Sequence, residues 1–160
     1  LDRIIESARD SELGMVILGM HPKVRLGSRR IINLWVHEES PDMELVLRRS
    51  HLNLAILLAY TMSRNWGAKI NIVSSVSPDH DPEEVRQSLE TLIDLARIPE
   101  PEIHLMEGDF TDNFRNSPRC DLDIMGLGDP PNYEQMQHAI EDTESSVLFV
   151  ADSGKESALA

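Results

Sequence analysis

Between Arg30 and Val76 the chain reads strand, loop, helix, strand, and a crossover of that length constrains both strands to pair parallel in one sheet. Residues 31–36 (IINLWV) form a short apolar run rich in β-branched side chains, the composition of a strand covered on both faces. Pro41 and Asp42 mark the loop that follows. Ser50 stands as the N-cap of a helix over 51–66, and Gly67 occupies the position past its end where a left-handed conformation is wanted. Lys69–Val76 is the returning strand. The class is α/β.

The same alternation runs through the rest of the sequence. Asp81, Pro82 and Glu84 mark a helix start, and Val85, Leu89, Leu92, Ile93 and Ala96 fall on one stripe of it, ended by Pro99 and Pro101. Residues 102–107 alternate polar and apolar as a strand near the edge. Asp109 caps a short helix carrying Phe110 and Phe114, closed by Pro118. Residues 121–128 run from a strand into a glycine turn, Asp129-Pro130-Pro131 leads into a helix turning Tyr133, Met136, Ala139 and Ile140 inward, and 146–150 is the last strand. Strands at 30–36, 69–76, 102–107, 121–126 and 146–150 predict a doubly wound, mainly parallel, five-stranded sheet. The opening helix and Met15–Gly19 are left over, an extra helix and strand. Residues 1–20 therefore read as the tail of a preceding α/β unit, 28–152 as the domain, and 153–160 as a frayed tail.

Composition narrows the function classes. A chain of 160 residues is one domain large enough to need no disulfide or metal as a staple, and its single cysteine, Cys120, excludes an intrachain disulfide framework. No apolar run approaches the roughly 20 residues of a membrane span. The first residues read as an amphipathic helix rather than a leader, and a chain opening on Leu inside a helix reads as a segment of something longer. Net charge is −13, unevenly spread: residues 1–76 hold 10 Lys/Arg against 8 Asp/Glu, and residues 77–160 hold 5 against 20. The acidic half argues against nucleic acid as a partner, because its backbone requires a basic footprint, and free binding to an anionic membrane surface is disfavoured for the same reason. One basic island, Lys23, Arg25, Arg29 and Arg30, has no acid between Leu13 and His37. It reads as a solvated loop or as a contact for a carboxylate-rich partner or a lipid headgroup.

Catalytic and cofactor signatures are missing where the fold would put them. Universal stress proteins, which share this element order, cradle ATP phosphates with G-x-x-G, nine residues, then G-[ST]. Here Gly126 and Gly128 are one residue apart, no Gly-Ser or Gly-Thr follows before the last strand, and Asp129, Glu141, Asp142 and Glu144 repel phosphate. Gly27-Ser28 precedes a strand rather than a helix. The six histidines (His21, His37, His51, His80, His104, His138) are scattered, so no metal site is predicted. Cys120 lies beside Arg119 and Asp121 without the setting of a reactive thiol, and Asp121 and Asp123 share a strand face, with Asp121 the solvated entry. No cofactor is expected. Helix 51–66 is apolar nearly all round, so its far side, with Leu54, Leu58 and Trp66, is expected to meet neighbouring helices, a companion domain or a subunit. The last strand, with Val147, Leu148 and Val150, is expected to be a bare edge open to a second copy.

Residues 30–36 (RIINLWV), 52–60 (LNLAILLAY), 64–69 (RNWGAK), 92–99 (LIDLARIP), 107–110 (EGDF), 121–127 (DLDIMGL) and 148–154 (LFVADSG) resemble, in order and spacing, the cytoplasmic C-terminal region of prokaryotic cation-chloride cotransporter relatives. These are Na-K-Cl-type members of the amino acid-polyamine-organocation superfamily. The resemblance implies a universal-stress-protein-like module below a membrane-embedded transport domain of the same polypeptide, on the cytoplasmic side of the cell membrane. It also implies two consecutive subdomains of this kind, this sequence being the second, used for homodimer assembly and regulation rather than chemistry. No ion-site residues carry over, since those lie in the membrane part. Nothing matches the long phosphorylated insertions of eukaryotic relatives. The reading is therefore a non-catalytic regulatory and dimerisation domain with nucleotide binding unlikely; the alternatives are a free-standing nucleotide-binding stress protein and an uncharacterised α/β enzyme.

Overall fold

Short apolar runs alternating with amphipathic helices resolve into one sheet covered on both faces. The computed structural model describes residues 2–37, 52–128 and 131–158. Helix α1 (Asp2–Asp10) leads to strand β1 (Met15–Gly19), then β2 (Ile31–Trp35), α2 (Asn53–Trp66), β3 (Lys69–Val76), α3 (Pro82–Ala96) and β4 (Glu102–Glu107). They are followed by α4 (Phe110–Arg115), β5 (Leu122–Gly126), α5 (Tyr133–Asp142) and β6 (Ser146–Ala151). The sheet order is β1-β6-β5-β2-β3-β4. Neighbours run parallel except β1 against β6, which are antiparallel with Ile17 opposite Phe149.

Strand β1 corrects the five-strand expectation. It is hydrogen-bonded into this sheet as a sixth strand, and the supposed bare edge of β6 is its seat. Val147, Leu148 and Val150 are consequently interior, buried between β5 and β1 and between helical layers. The reason is elementary: an apolar strand with a row of unpaired backbone groups is stabilised by any apolar strand that can reach it.

Alternation along the strands builds two cores. On one face Ile32, Leu34, Ile72, Ile124, Leu148 and Val150 pack under α2 and α3. On the other, Trp35, Val73, Val147 and Phe149 pack with Ile5 of α1, Phe114 of α4 and the half-buried Tyr133, Met136, Ala139 and Ile140 of α5. Trp35 anchors this second core by its ring contacts with Phe110 and Phe114, centroids 5.3 and 5.1 Å away.

Local signals set most helix ends. Asp81 accepts the Glu83 N–H ahead of Pro82, Asp109 accepts that of Thr111, and Gly67 closes α2 at φ 67°. The start of α2 is different. Ser50 and His51 lie outside the described residues, as do Glu38, Glu39, Pro41, Asp42, Asp129 and Pro130. The helix begins at Asn53 behind Leu52, which offers no side-chain cap. The missing acceptor comes from the far end of the chain: Asp152 Oδ1 accepts the Leu54 N–H at 3.0 Å. Asn53 Oδ1 in turn accepts the N–H of Ala158, which is buried. Residues 153–158 are thus docked rather than frayed, with Ser153 held by Glu156 and Lys155 paired to Glu12.

Asp121 organises the β1–β2 connection. Its carboxylate accepts N–H bonds from Ser28 (2.7 Å), Arg30 (2.7 Å) and Ile31 (3.0 Å), and the Ser28 hydroxyl as well. Gly27 sits at φ +48°, where a Cβ would overlap Asp121 Oδ1, so only glycine lets the backbone wrap the carboxylate this closely. Partial burial raises the Asp121 pKa, but the N–H groups of Arg30, Ile31 and Ser28 outweigh it and hold the group below its ordinary 3.8.

Two outcomes follow. Leu148→Lys places an ammonium inside the sheet, so it should abolish cooperative unfolding or cost about 3–5 kcal/mol in urea melts. A lowered carboxylate pKa means that the Asp121 contribution is present above pH 3.8 and is lost as pH falls below it. Stability measured against pH should therefore drop less steeply on the acid side in Asp121→Asn than in the parent.

Candidate functional site

Strand order reverses between β2 and β5, and the crevice at their carboxyl ends is where doubly wound sheets place ligands. A cavity of about 500 Å³ opens there, lined by Trp35, Phe110, Met125, Leu127, Met136 and Phe149, with Ser75, Asn132 and Gln135 as polar members. Its chemistry is apolar. In the glycine turn at its rim the Leu127 N–H is committed to the Val150 carbonyl at 2.7 Å, and the space beside Gly126 is open. His37 lies on the same rim.

Beneath the cavity runs a polar row that sequence reasoning missed. Asn71 of β3, Asn33 of β2 and Asp123 of β5 are register partners on one face, all buried. Asn71 Nδ2 donates to Asn33 Oδ1 at 2.9 Å, and Asn33 Nδ2 donates to Asp123 Oδ1 at 3.2 Å and to the Pro118 carbonyl at 2.8 Å. Trp35 Nε1 adds a bond to Asp123 Oδ1 at 2.8 Å. Cys120 Sγ and the Ser145 hydroxyl donate to Oδ2. Burial pushes the Asp123 pKa up; the donors Ser145, Trp35, Cys120 and Asn33 act against it. The available signal was the pair of asparagines in the middle of strand patterns, since an internal strand amide needs a partner.

This network also disposes of the sequence candidates for chemistry. Asp121 and Asp123 are committed to separate tasks, the first to a loop and the second to the core. Burial and the Asp123 charge push the Cys120 thiol far up, the opposite of an activated nucleophile. His104 Nε2 stands 3.7 Å from Glu102 on β4. Among the described residues no cluster of His, Cys, Asp and Glu could hold a metal ion.

The remaining candidates are surfaces. Leu54, Leu58 and Trp66 are half-buried, packed partly on the core of α2 and α3, and Leu57 is the exposed apolar residue of α2. The loop carrying Lys23, Arg25, Arg29 and Arg30 lies at the amino end of the parallel strands, opposite the cavity. Its backbone is pinned twice, by Asp121 and by Ser146, whose hydroxyl accepts the His21 N–H and donates to the Arg25 carbonyl. Its four cationic side chains are exposed and join no ion pair among the described residues. Exposed apolar side chains gather nearby: Val16 and Leu18 on β1, each 44% exposed, then Met20 and Val24. No described helix is long and apolar enough to cross a membrane.

No curated protein matches the chain. The crystal structure of the cytoplasmic domain of a prokaryotic cation chloride cotransporter is similar over 98% of this chain, with 28% identity and a TM-score of 0.83. The chain spans 59% of that domain's length. A universal stress protein from Archaeoglobus fulgidus DSM 4304 matches 88% of this chain and 50% of its own at 17% identity and a TM-score of 0.57. A universal stress protein in complex with cAMP matches 76% of this chain and 96% of its own at 16% identity and a TM-score of 0.51. These two likenesses establish the fold alone. The model of the prokaryotic cation-chloride cotransporter C-terminal domain, 2nd, matches residues 27–159, and the chain belongs to that family.

Proposed function

We propose that the chain is a non-catalytic regulatory and dimerisation module on the cytoplasmic side of the membrane, working below the membrane-embedded transport domain of its own polypeptide. In this reading residues 1–20 are the last helix and strand of a preceding α/β subdomain, seated on the sheet of residues 28–152 as its sixth strand. The supporting observation is the β1–β6 seam. Helix α1, a turn and β1 repeat, in the opposite direction, the succession of α5, a turn and β6. Among the described residues no strand pairs with the outer edge of β1, and Val16 and Leu18 point to the face that α2 covers over β2, β3, β5 and β6. An apolar strand left open in this way is a docking edge for a further α/β unit or a second copy. Leu54, Leu58 and Trp66, around exposed Leu57, give α2 a second contact surface, and Lys23, Arg25, Arg29 and Arg30 give a basic one.

Light scattering on the parent chain should report a mass above the monomer. Val16→Lys with Leu18→Lys, both at exposed positions, should return it to the monomer with the melting temperature nearly unchanged. A monomeric parent at every concentration would overturn the dimerisation reading.

Against the nucleotide-binding alternative stand the apolar lining of the switch-point crevice and the Leu127 N–H of its rim, which is committed to Val150. Titration calorimetry with ATP, ADP and cyclic nucleotides should show no site tighter than about millimolar. A micromolar site would favour the alternative.

A further inference from the structure

Charge in this molecule is sorted along the strand direction. The carboxyl ends carry Asp79, Asp81 and, in the first turn of α3, Glu83 and Glu84 after β3, with Glu107 closing β4 and Asp109 following it. Turns at the amino ends carry Lys23, Arg25, Arg29 and Arg30 before β2, with Lys69 opening β3 beside them, its N–H bonded to the Arg30 carbonyl at 2.8 Å. Strands of five to eight residues separate the two ends, about 17–26 Å at ~3.3 Å per residue. That is two to three times the ~8 Å over which charge is felt in physiological salt. The net −13 of the chain therefore does not cancel the field at the basic end. Of the acids at that end, Asp121 is held by the backbone of residues 28–31, Glu144 by Arg119 and Asp142 by Arg115, while Glu100 and Glu102 stand exposed at the entry of β4, next to β3 and on the far side of β2 from Asp121.

The loop is not only basic. Met20 and Val24 are 48% and 41% exposed, and Val24 stands between Lys23 and Arg25. An acidic protein surface would meet the cations and leave these apolar groups in water. A bilayer interface takes both, phosphates on the cations and the apolar side chains at the acyl boundary. Two anchors on Asp121 and Ser146 hold the backbone, so little ordering is needed on contact. Arg25 and Arg29 have φ of 51° and 57°, which aligns with a turn shaped by those anchors rather than by its own side chains.

We propose that the Met20–Arg30 loop, with Lys69, is a contact for an anionic lipid surface, in which Lys23, Arg25, Arg29, Arg30 and Lys69 meet headgroup phosphates and Met20 and Val24 enter the interface. This rests on the membrane-transporter reading and assigns to it which end of the domain faces the bilayer: the amino ends of the parallel strands, with the apolar cavity turned away.

Flotation of the chain with vesicles tests the assignment. Vesicles of phosphatidylcholine containing phosphatidylglycerol should carry the chain, phosphatidylcholine alone should not, and binding should weaken as salt is raised. Each cation removed should cost about fivefold, so Arg25→Asn, Arg29→Asn and Arg30→Gln together should weaken binding about a hundredfold. Asn is chosen at the two left-handed positions because it tolerates them, and an unchanged melting temperature certifies the fold. Val24→Ser should lose about fivefold while keeping the salt dependence. No binding, equal binding to both vesicle types, or a triple variant that binds like the parent would overturn the proposal. Retention on immobilised polyglutamate without vesicle binding would assign the loop to an acidic protein surface instead, and also overturn it. Loss of vesicle binding in a chain that still self-associates would remove the lipid contact and leave the dimerisation reading standing.

Discussion

A carboxylate deep inside a sheet costs several kcal/mol unless donors surround it, and Asp123 is surrounded. Asn33 and Trp35 reach it from β2, Cys120 from the approach to β5, and Ser145 from the turn before β6. Asn71 extends the row to β3 through Asn33. Shifting any one of these strands by a residue would turn its polar member into the opposite core and leave the others unpaired, so the row fixes the register of the sheet's centre. The hydrophobic runs alone would not, since β2 and β3 are apolar on both faces. What surrounds the row, Trp35 against Phe110 and Phe114 above all, can pack closely because the polar atoms below it are already satisfied.

A second carboxylate does the equivalent work at the rim. Asp121 gathers three backbone N–H groups and so decides where the β1–β2 connection lies, with Gly27 as the one residue that permits the approach. Two aspartates separated by one position thus serve opposite surroundings, dry core and wet loop; burial raises the proton affinity of both, and the hydrogen-bond donors outweigh it at Asp121 but not at Asp123. The basic loop inherits its fixed shape from this clamp and from Ser146, which leaves its cations free to act as a surface.

Local chemistry was readable in the sequence, and long-range chemistry was not. Asp81 with Pro82, Asp109 and Gly67 act on backbone groups within a few residues, and the structure uses each as its position implies. The start of α2 needs Asp152, and the docking of Ala158 needs Asn53; neither pairing leaves a trace in the spacing of residues. Val147, Leu148 and Val150 were misjudged as an edge for the same reason. The last strand of the alternation is an edge only if nothing outside the alternation pairs with it, and Met15–Gly19 does. The polar row showed itself only as two misplaced asparagines and an aspartate, and their mutual partnership required the parallel register to be known.

That antiparallel seam has a kinetic consequence. The bonds tying its end to the loop join residues 121 and 125 positions apart, whereas β5 and β6 are joined by one helix. Closing so long a loop yields nothing until most of the chain is in place, so β1 is expected to join last during folding. A strand at the sheet's end is expected to open before the centre does, so its amides should exchange with solvent through partial opening rather than global unfolding. Each such opening lays bare Ser146–Ala151, six residues without a charge, a proline or a glycine. The strand that completes the sheet therefore also covers an edge open to aggregation in the folded chain.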